Sequence, residues 1–340
     1  MSNFNVDVLQ IRDSSFNIGL KMGKLLKNRP ILKSLEAITK PEIDFNNMKS
    51  IFSAYAPHLL DEIHGLSEGL EISINKSAAL FSGYDVPKVE AMGCSSLITK
   101  EYYVRNYDFS PVFYDSFFSL LQPTEGAYAS AGYNLQAIGR HDGVNEYGLV
   151  SGLHFVSNND YSKGLSAWTS IRMILDTCTS LDDAILMLKE IPHSACYNFS
   201  LGDGDGNIAA VEASPEKVIV RKDQALLSCV NHFQVSELEK KNRPSIEGSM
   251  KRNQYLLTYQ NKDLSQRQMF DIFSDKNSPV FFTDYENLFG TIHTFSYSFN
   301  QFRILTTIAQ SKQVLDIDFQ EWVNGKNINE SKLNGLIENK

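Results

Sequence analysis

Cys94 stands behind a glycine in Met92-Gly93-Cys94-Ser95-Ser96-Leu97, and a second short segment, Val104-Arg105-Asn106-Tyr107-Asp108-Phe109, sets two ionisable groups among aromatic ones. A cysteine so placed is either a small buried apolar side chain or a nucleophile. The thiolate is the reactive form of a cysteine. A charge within an apolar strand needs a partner, because burying it alone is costly. Arg105 and Asp108 are an odd number of positions apart, so a regular strand sends them to opposite faces. They serve one site only if Asp108 ends the strand or a bulge intervenes. Pro111 places a strand end nearby.

Downstream, Cys229-Val230-Asn231-His232-Phe233 offers two further candidates. His232 invites a Cys–His dyad with Cys94. Strand neighbours face opposite ways, so only one of Asn231 and His232 enters a site without a bulge, and Asn231 is preferred. Arg252, in Ser249-Met250-Lys251-Arg252, reads on its own as a solvated helix face. The other histidines, His58, His64, His141, His193 and His293, form no metal-ligand spacing. Cys178, Cys196 and Cys229 read as core thiols. No CxxC spacing suggests zinc or a disulfide framework, and a reducing cytoplasm is the expected compartment. Asp203-Gly204-Asp205-Gly206-Asn207 reads as a turn. As a calcium loop it lacks the glycine at Ile208 and the glutamate at Ser214. No glycine-rich phosphate loop opens a helix, so no nucleotide cofactor is expected. Eight aromatic residues between Tyr102 and Phe118 read as core packing or as an apolar acyl pocket beside Cys94.

The elements that must position these residues change character at Gly93. Before it the chain reads as helical, with no strand alternation. Asp13 caps a helix through Lys27, and further helices span 44–55, 58–70, with Pro57 as first residue, and 73–81. After Gly93, short strands alternate with two helix pairs, 166–178 with 180–191 and 245–259 with 265–273. Strands cover 94–99, 102–107, 133–139, 148–155, 198–202, 208–213, 217–221, 226–232, 291–298 and 303–309. Clustered strands and clustered helices are the pattern of α+β packing. The chain has 340 residues, 42% hydrophobic, enough for a large core. Its net charge of −8 argues against a sequence-independent nucleic-acid binder. No signal peptide and no apolar run of membrane-spanning length is visible.

The same segments resemble the N-terminal-nucleophile hydrolases that cut linear amides, the bile salt hydrolases and penicillin V acylases, and most closely the isopenicillin N acyltransferases. Leu59-Leu60-Asp61-Glu62-Ile63-His64-Gly65-Leu66-Ser67-Glu68-Gly69 resembles the pro-segment helix of the acyltransferases, and Gly93-Cys94-Ser95-Ser96 their processing site. Arg105-Asn106-Tyr107-Asp108 resembles the Arg-Asn-x-Asp hairpin. Asn145-Glu146-Tyr147-Gly148-Leu149 with Gly152-Leu153-His154-Phe155 resembles the Asn-Glu-x-Gly-Leu strand. Cys229 to Phe233 resembles the Asn-His-Phe element, and Ser249 to Arg252 the helix with a site arginine.

The resemblance implies a mechanism. Cys94 would cut the Gly93–Cys94 bond, and its freed α-amine would serve as general base. Gly93 would supply conformational freedom. Asp108 would hold the α-amine, Arg105 would favour the thiolate, Asn231 would donate to the oxyanion, and Arg252 would pair within the network. His154 departs from the pattern, since bile salt hydrolases carry asparagine there. A neutral histidine can also donate.

The fold expected from these readings is α+β: a four-layer αββα sandwich of two antiparallel sheets over 94–340, preceded by a helical pro-segment, 1–93. The expected activity is hydrolysis of a linear non-peptide C–N amide through an acyl-enzyme on Cys94, or transfer of that acyl group to an amine. The partner is a small amide, with no cofactor, metal, nucleic acid or membrane; a homo-oligomer is left open. One rival is a non-catalytic acyl or amide binder that never cuts itself. The other is a Cys94–His232 thiol enzyme working in the intact chain.

Overall fold

A computed structural model describes residues 2–88, 93–222, 225–287 and 289–338. The chain opens with an alternation that buries Phe4, Val6 and Val8 and turns Asn3 and Asn5 outward. That is the period of a half-buried strand, and β1 (Ser2–Asp13) forms there, against the all-helical expectation for this segment. Five helices follow: α1 (Ser15–Leu26), α2 (Pro30–Ile38), α3 (Phe45–Tyr55), α4 (His58–Leu70) and α5 (Ile74–Phe81). Ser14 caps α1, while the expected cap Asp13 takes the Ser14 amide and the Asn17 side chain. Helices α1 and α4 pack through glycines. A Cβ on Gly19, Gly23, Gly65 or Gly69 would come within 2.7 Å or less of the opposite backbone.

From Gly93 the chain runs β2 (Gly93–Thr99), β3 (Tyr102–Phe109), β4 (Phe117–Pro123), β5 (Ser130–Leu135), β6 (Gly139–Asn145) and β7 (Val150–Ser157). Helices α6 (Ala167–Thr177) and α7 (Leu181–Glu190) come next, then β8 (Cys196–Gly202), β9 (Ile208–Ala213), β10 (Val218–Lys222) and β11 (Leu226–Cys229). After α8 (Glu247–Leu257) and α9 (Gln266–Ser274) follow β12 (Thr283–Asp284), β13 (Phe289–Ser298), β14 (Arg303–Ile308) and β15 (Leu315–Asp318). Helix α10 (Phe319–Val323) and β16 (Lys332–Ile337) complete it. No helix among the described residues is long and apolar enough to cross a membrane.

Two sheets result. The larger has nine strands in the order β10-β9-β8-β7-β6-β5-β4-β1-β16, and the other runs β11-β2-β3-β13-β14-β15 with β12 on β13. The second is antiparallel, as expected. The first is mixed, because β1 enters between β4 and β16 and runs parallel to β4. Helices α6 and α7 lie on the larger sheet, α8 and α9 on the smaller, and β2 meets β7 and β8 between the sheets.

The first 88 residues are joined to the rest by more than β1. Arg172 of α6 donates to both Glu62 carboxylate oxygens, at 3.2 and 2.7 Å, and to Asp176 at 2.6 Å, while His58 Nε2 lies 2.8 Å from Asp176. All four side chains are buried, so the charges are paired where water cannot solvate them.

Candidate active site

Cys94 is the second residue of β2 and is buried. Antiparallel pairing sets Gly93 opposite Asp108, Cys94 opposite Tyr107 and Ser96 opposite Arg105. Directly paired residues share a face, so Cys94, Ser96, Arg105 and Tyr107 point between the sheets, while Gly93 and Asp108 point toward α8 and α9. The opposite-face arrangement read from the odd spacing is therefore present, with no bulge between β2 and β3.

On the inter-sheet face Arg105 Nη2 donates to Cys94 Sγ at 3.1 Å and to the Leu153 carbonyl at 2.5 Å, and Nη1 donates to Asp142 at 2.6 Å. Gly152 makes room for this side chain: a Cβ there would lie 2.0 Å from Tyr103 Oη and 2.8 Å from Arg105 Cδ. Burial works against the Arg105 charge, but Cys94 and Asp142 hold it on. For Cys94 itself, burial pushes the thiol up. Arg105 pulls it back, Asp108 pushes it further up, and Arg252 and Asn231 oppose that; the thiol ends above its ordinary value.

On the other face the Cys94 main chain is gripped. Its N–H donates to Asn231 Oδ1 at 2.8 Å, and Arg252 Nη1 donates to its carbonyl at 2.6 Å and to Ser95 Oγ at 2.8 Å. Arg252 Nη2 also donates to Asn231 Oδ1 at 2.9 Å. Two donors converge on that atom, which fixes it as the oxygen. Asn231 Nδ2 donates to the Phe155 carbonyl at 2.9 Å. In the intact chain Asn231 is thus an acceptor toward the Cys94 main chain.

Asp108 approaches through Arg252, whose Nη1 is 3.9 Å away. Thr291 Oγ1 donates to Asp108 Oδ1 at 2.7 Å, while Oδ2 has no hydrogen-bond partner among the described residues. Burial pushes this carboxyl up to about 6, against Arg252, Thr291 and Arg105. Gly93 is needed for space: a Cβ would lie 2.6 Å from the Phe289 ring and 2.9 Å from Asp108 Cβ. Met92 and the three residues before it lie outside the described residues.

His154 sits between the sheets with Nε2 at 3.2 Å from Ser96 Oγ and 3.0 Å from Ser200 Oγ. Burial holds it well below the ordinary histidine value, helped by Arg105 and Arg252, so it is neutral. His232 turns away: its Nδ1 is 2.8 Å from Ser249 Oγ, and no hydrogen bond joins it to Cys94. Arg252, read alone as a solvated helix position, is buried. The aromatic residues Tyr103, Tyr107, Phe117 and Phe118 are fully buried packing.

The sequence does not single out Asp142 or Thr291, carries Ser249 and Gly152 only as members of longer motifs, and marks His293 only as a histidine without metal spacing. Ser249 Oγ accepts from the Asn231 amide at 3.0 Å, which seats Asn231. Nothing in the local sequence marks Asp142 or Thr291; their partners lie on other elements. A cleft of about 410 Å³ opens on the main-chain side of Cys94, lined in part by Asn231, Arg243, Ser249, Arg252, Phe282 and Phe289. Among the described residues no cluster of histidine, cysteine and acidic side chains could hold a metal ion.

The chain is similar to several solved structures. A mutant of the conjugated bile acid hydrolase from Clostridium perfringens, with alanine in place of a cysteine, is 13% identical, covering 70% of this chain and 96% of that one, with a TM-score of 0.47. Penicillin V acylase from Agrobacterium tumefaciens is 16% identical, covering 70% and 81%, with a TM-score of 0.42. The Caenorhabditis elegans ortholog of N-acylethanolamine-hydrolyzing acid amidase is 11% identical, covering 61% and 93%, with a TM-score of 0.41. No curated protein matches it by sequence. A family model, acyl-coenzyme A:6-aminopenicillanic acid acyl-transferase, matches residues 97–313. That span is well over half of the chain, takes in Arg105, Asp108, His154, Asn231 and Arg252, and starts three residues after Cys94: the chain belongs to this acyl-transferase family.

Proposed function

We propose that this chain is a cysteine amidohydrolase or acyltransferase of the N-terminal-nucleophile type, matured by its own cleavage at Gly93–Cys94. The reading rests on one arrangement. The Cys94 thiol meets the Arg105 guanidinium on one face of β2, while Asn231 and Arg252 hold the Cys94 main chain from the other. In maturation Sγ adds to the Gly93 carbonyl carbon. The C–N bond to Cys94 breaks, the thiol proton ends on the departing nitrogen, and a thioester remains. Water cleaves the thioester, releasing the Gly93 carboxylate and restoring the thiol. Residues 1–93 are then a pro-segment, and 94–340 the catalytic part of a four-layer αββα sandwich.

Turnover uses the freed α-amine, whose ordinary pKa near 7.7–8 suits a general base at neutral pH. The amine takes the thiol proton, the thiolate adds to a substrate amide carbonyl, and the amine's proton passes to the leaving nitrogen. Water or a second amine resolves the acyl-enzyme. Arg105 favours the thiolate. Asp108 Oδ2, buried and without a hydrogen bond among the described residues, receives the new ammonium together with Asn231 Oδ1. Arg252 ties Asp108 and Asn231 together, and neutral His154 supplies an N–H to the oxyanion.

The test is a panel of N-acyl amides offered to the wild type and to Cys94→Ala. Turnover by the wild type alone is the expected result. A Cys94→Ala protein that still hydrolyses an amide overturns the reading. An intact, inactive wild type points instead to the non-catalytic binder.

A further inference from the structure

Arg105 aims Nη2 at Cys94 while its other terminal nitrogen, Nη1, is held by Asp142, and the fold in turn holds that carboxylate. Asp142 Oδ2 accepts from Arg105 Nη1 at 2.6 Å and lies 2.9 Å from His293 Nε2, whose Nδ1 lies 2.7 Å from Tyr114 Oη. We propose that Asp142, His293 and Tyr114 form a positioning relay that orients Arg105 against the Cys94 thiol and so sets how readily the thiolate forms. The inference rests on the cysteine-hydrolase reading for its purpose, but its geometry stands apart from it.

The protonation pattern follows from the partners. Both Arg105 and His293 point nitrogen at one oxygen of a carboxylate, which only accepts when ionised. Burial works against that charge, yet His293 and Arg105 hold Asp142 below its ordinary value. Burial keeps His293 neutral. Its single proton is therefore on Nε2, toward Asp142, which leaves Nδ1 to accept from the Tyr114 hydroxyl. Tyr114, raised well above its ordinary value by burial, keeps its proton. The chain of donors runs one way, from Tyr114 through His293 to Asp142, with Arg105 closing on the same oxygen.

The backbone is built for it. The register of β13 on β3 shifts between Thr291 and His293. Without that bulge these two residues would share a face. With it, Thr291 pairs with Asp108 and His293 with Tyr107, so one strand serves both sides of Cys94. The His293 ring stacks on Tyr133 at 3.8 Å between centroids and on Tyr107 at 5.5 Å, which locks its plane. Asp142, His293 and Arg105 come from β6, β13 and β3, so the relay also bridges the two sheets.

The readout is the pKa of the Cys94 thiol itself, from ultraviolet thiolate absorbance against pH, with the profile of Cys94→Ala subtracted. The titratable groups around that thiol are Arg105, Tyr107 and Asp108 on β3, Arg252 on α8, Cys229 on β11 and His154 on β7. Tyr114→Phe changes none of them, keeps the ring volume and removes one hydroxyl. It and His293→Leu should raise the thiol pKa, by about one unit for His293→Leu and by less for Tyr114→Phe. His293→Gln, which keeps a donor for Asp142, should return it toward the wild type. Thermal unfolding of each variant separates a lost fold from a lost alignment, and Tyr114→Phe decides if His293→Leu does not fold. Profiles of folded variants that overlay the wild type overturn the relay. Masses of the same samples report cleavage separately: an uncut, inactive wild type whose thiol still shifts in the variants sinks the hydrolase reading and leaves the relay standing.

Discussion

Arg105 and Asp108 leave the same strand on opposite faces and act on the same cysteine: Arg105 reaches the Cys94 thiol at 3.1 Å, and Asp108 reaches its main chain through Arg252, 3.9 Å away. The strand itself therefore separates the group that steers the thiol from the groups that hold the backbone. That division of labour fits a residue whose side chain attacks while its own nitrogen is the leaving group.

Replacing Arg105 with lysine keeps the charge and loses the fork. A lysine ammonium cannot hold Sγ, the Asp142 carboxylate and the Leu153 carbonyl in one plane. Loss of one charge-assisted hydrogen bond is worth about 1.5–3 kcal/mol. Arg105→Lys should slow Gly93–Cys94 cleavage about ten- to a hundredfold, followed by the appearance of fragments on a denaturing gel.

Gly93→Ala tests the space at the cleavage site. The new Cβ would meet the Phe289 ring at 2.6 Å and Asp108 Cβ at 2.9 Å, neither at the tip of a flexible side chain. Overpacking of this kind costs about 1–3 kcal/mol. Placed in the uncuttable Cys94→Ala chain, it should lower the urea midpoint. In the wild type it should slow cleavage.

The raised carboxyl of Asp108 gives a pH signature. Its folded value of about 6 lies above the ordinary value of 3.8, so the folded chain holds the proton more tightly than the unfolded chain. Its contribution to stability is then full below the unfolded value and is lost as pH rises through the folded one. Asp108→Asn has no such proton to lose. In the Cys94→Ala background, its stability relative to Asp108 should rise between about pH 4 and pH 6 and then level off, by at most about 3 kcal/mol. Urea unfolding across that range reads it; a constant difference contradicts the buried, protonated carboxyl.

Cleavage should not release the N-terminal fragment. β1 lies between β4 and β16, and Glu62 and His58 face Arg172 and Asp176 across α4 and α6. Removing one partner of a buried pair costs about 3–5 kcal/mol. The cut wild type should elute as one species on gel filtration and separate only in denaturant. Glu62→Leu should weaken that association.

Much of this is legible in the sequence, for reasons tied to locality. Helix caps and apolar stripes are local, so α3, α4, α6, α7 and α9 stand close to where their patterns place them. The strand period puts Arg105 and Asp108 on opposite faces and favours Asn231 over His232. The alternation of Phe4, Val6 and Val8 is equally plain, but it lies next to strong helical patterns, and its partners β4 and β16 lie far along the chain. The mixed sheet follows from that one insertion. Asp142 and His293 are beyond reach for the same reason. Each becomes meaningful only when β6 and β13 come together behind Arg105, and the register shift between Thr291 and His293 that turns His293 inward shows only in the pairing with β3. Asn231 is legible as a residue, while Phe155 and Arg252, which orient its amide in the intact chain, are set by tertiary packing.

The most direct test is the mass of the purified protein under denaturing conditions, beside Cys94→Ala. Two fragments of 93 and 247 residues, meeting at Gly93–Cys94, are expected in the wild type, and one chain of 340 in the variant. A single intact chain in the wild type would contradict the proposed maturation, since no α-amine would then exist on Cys94 to act as base.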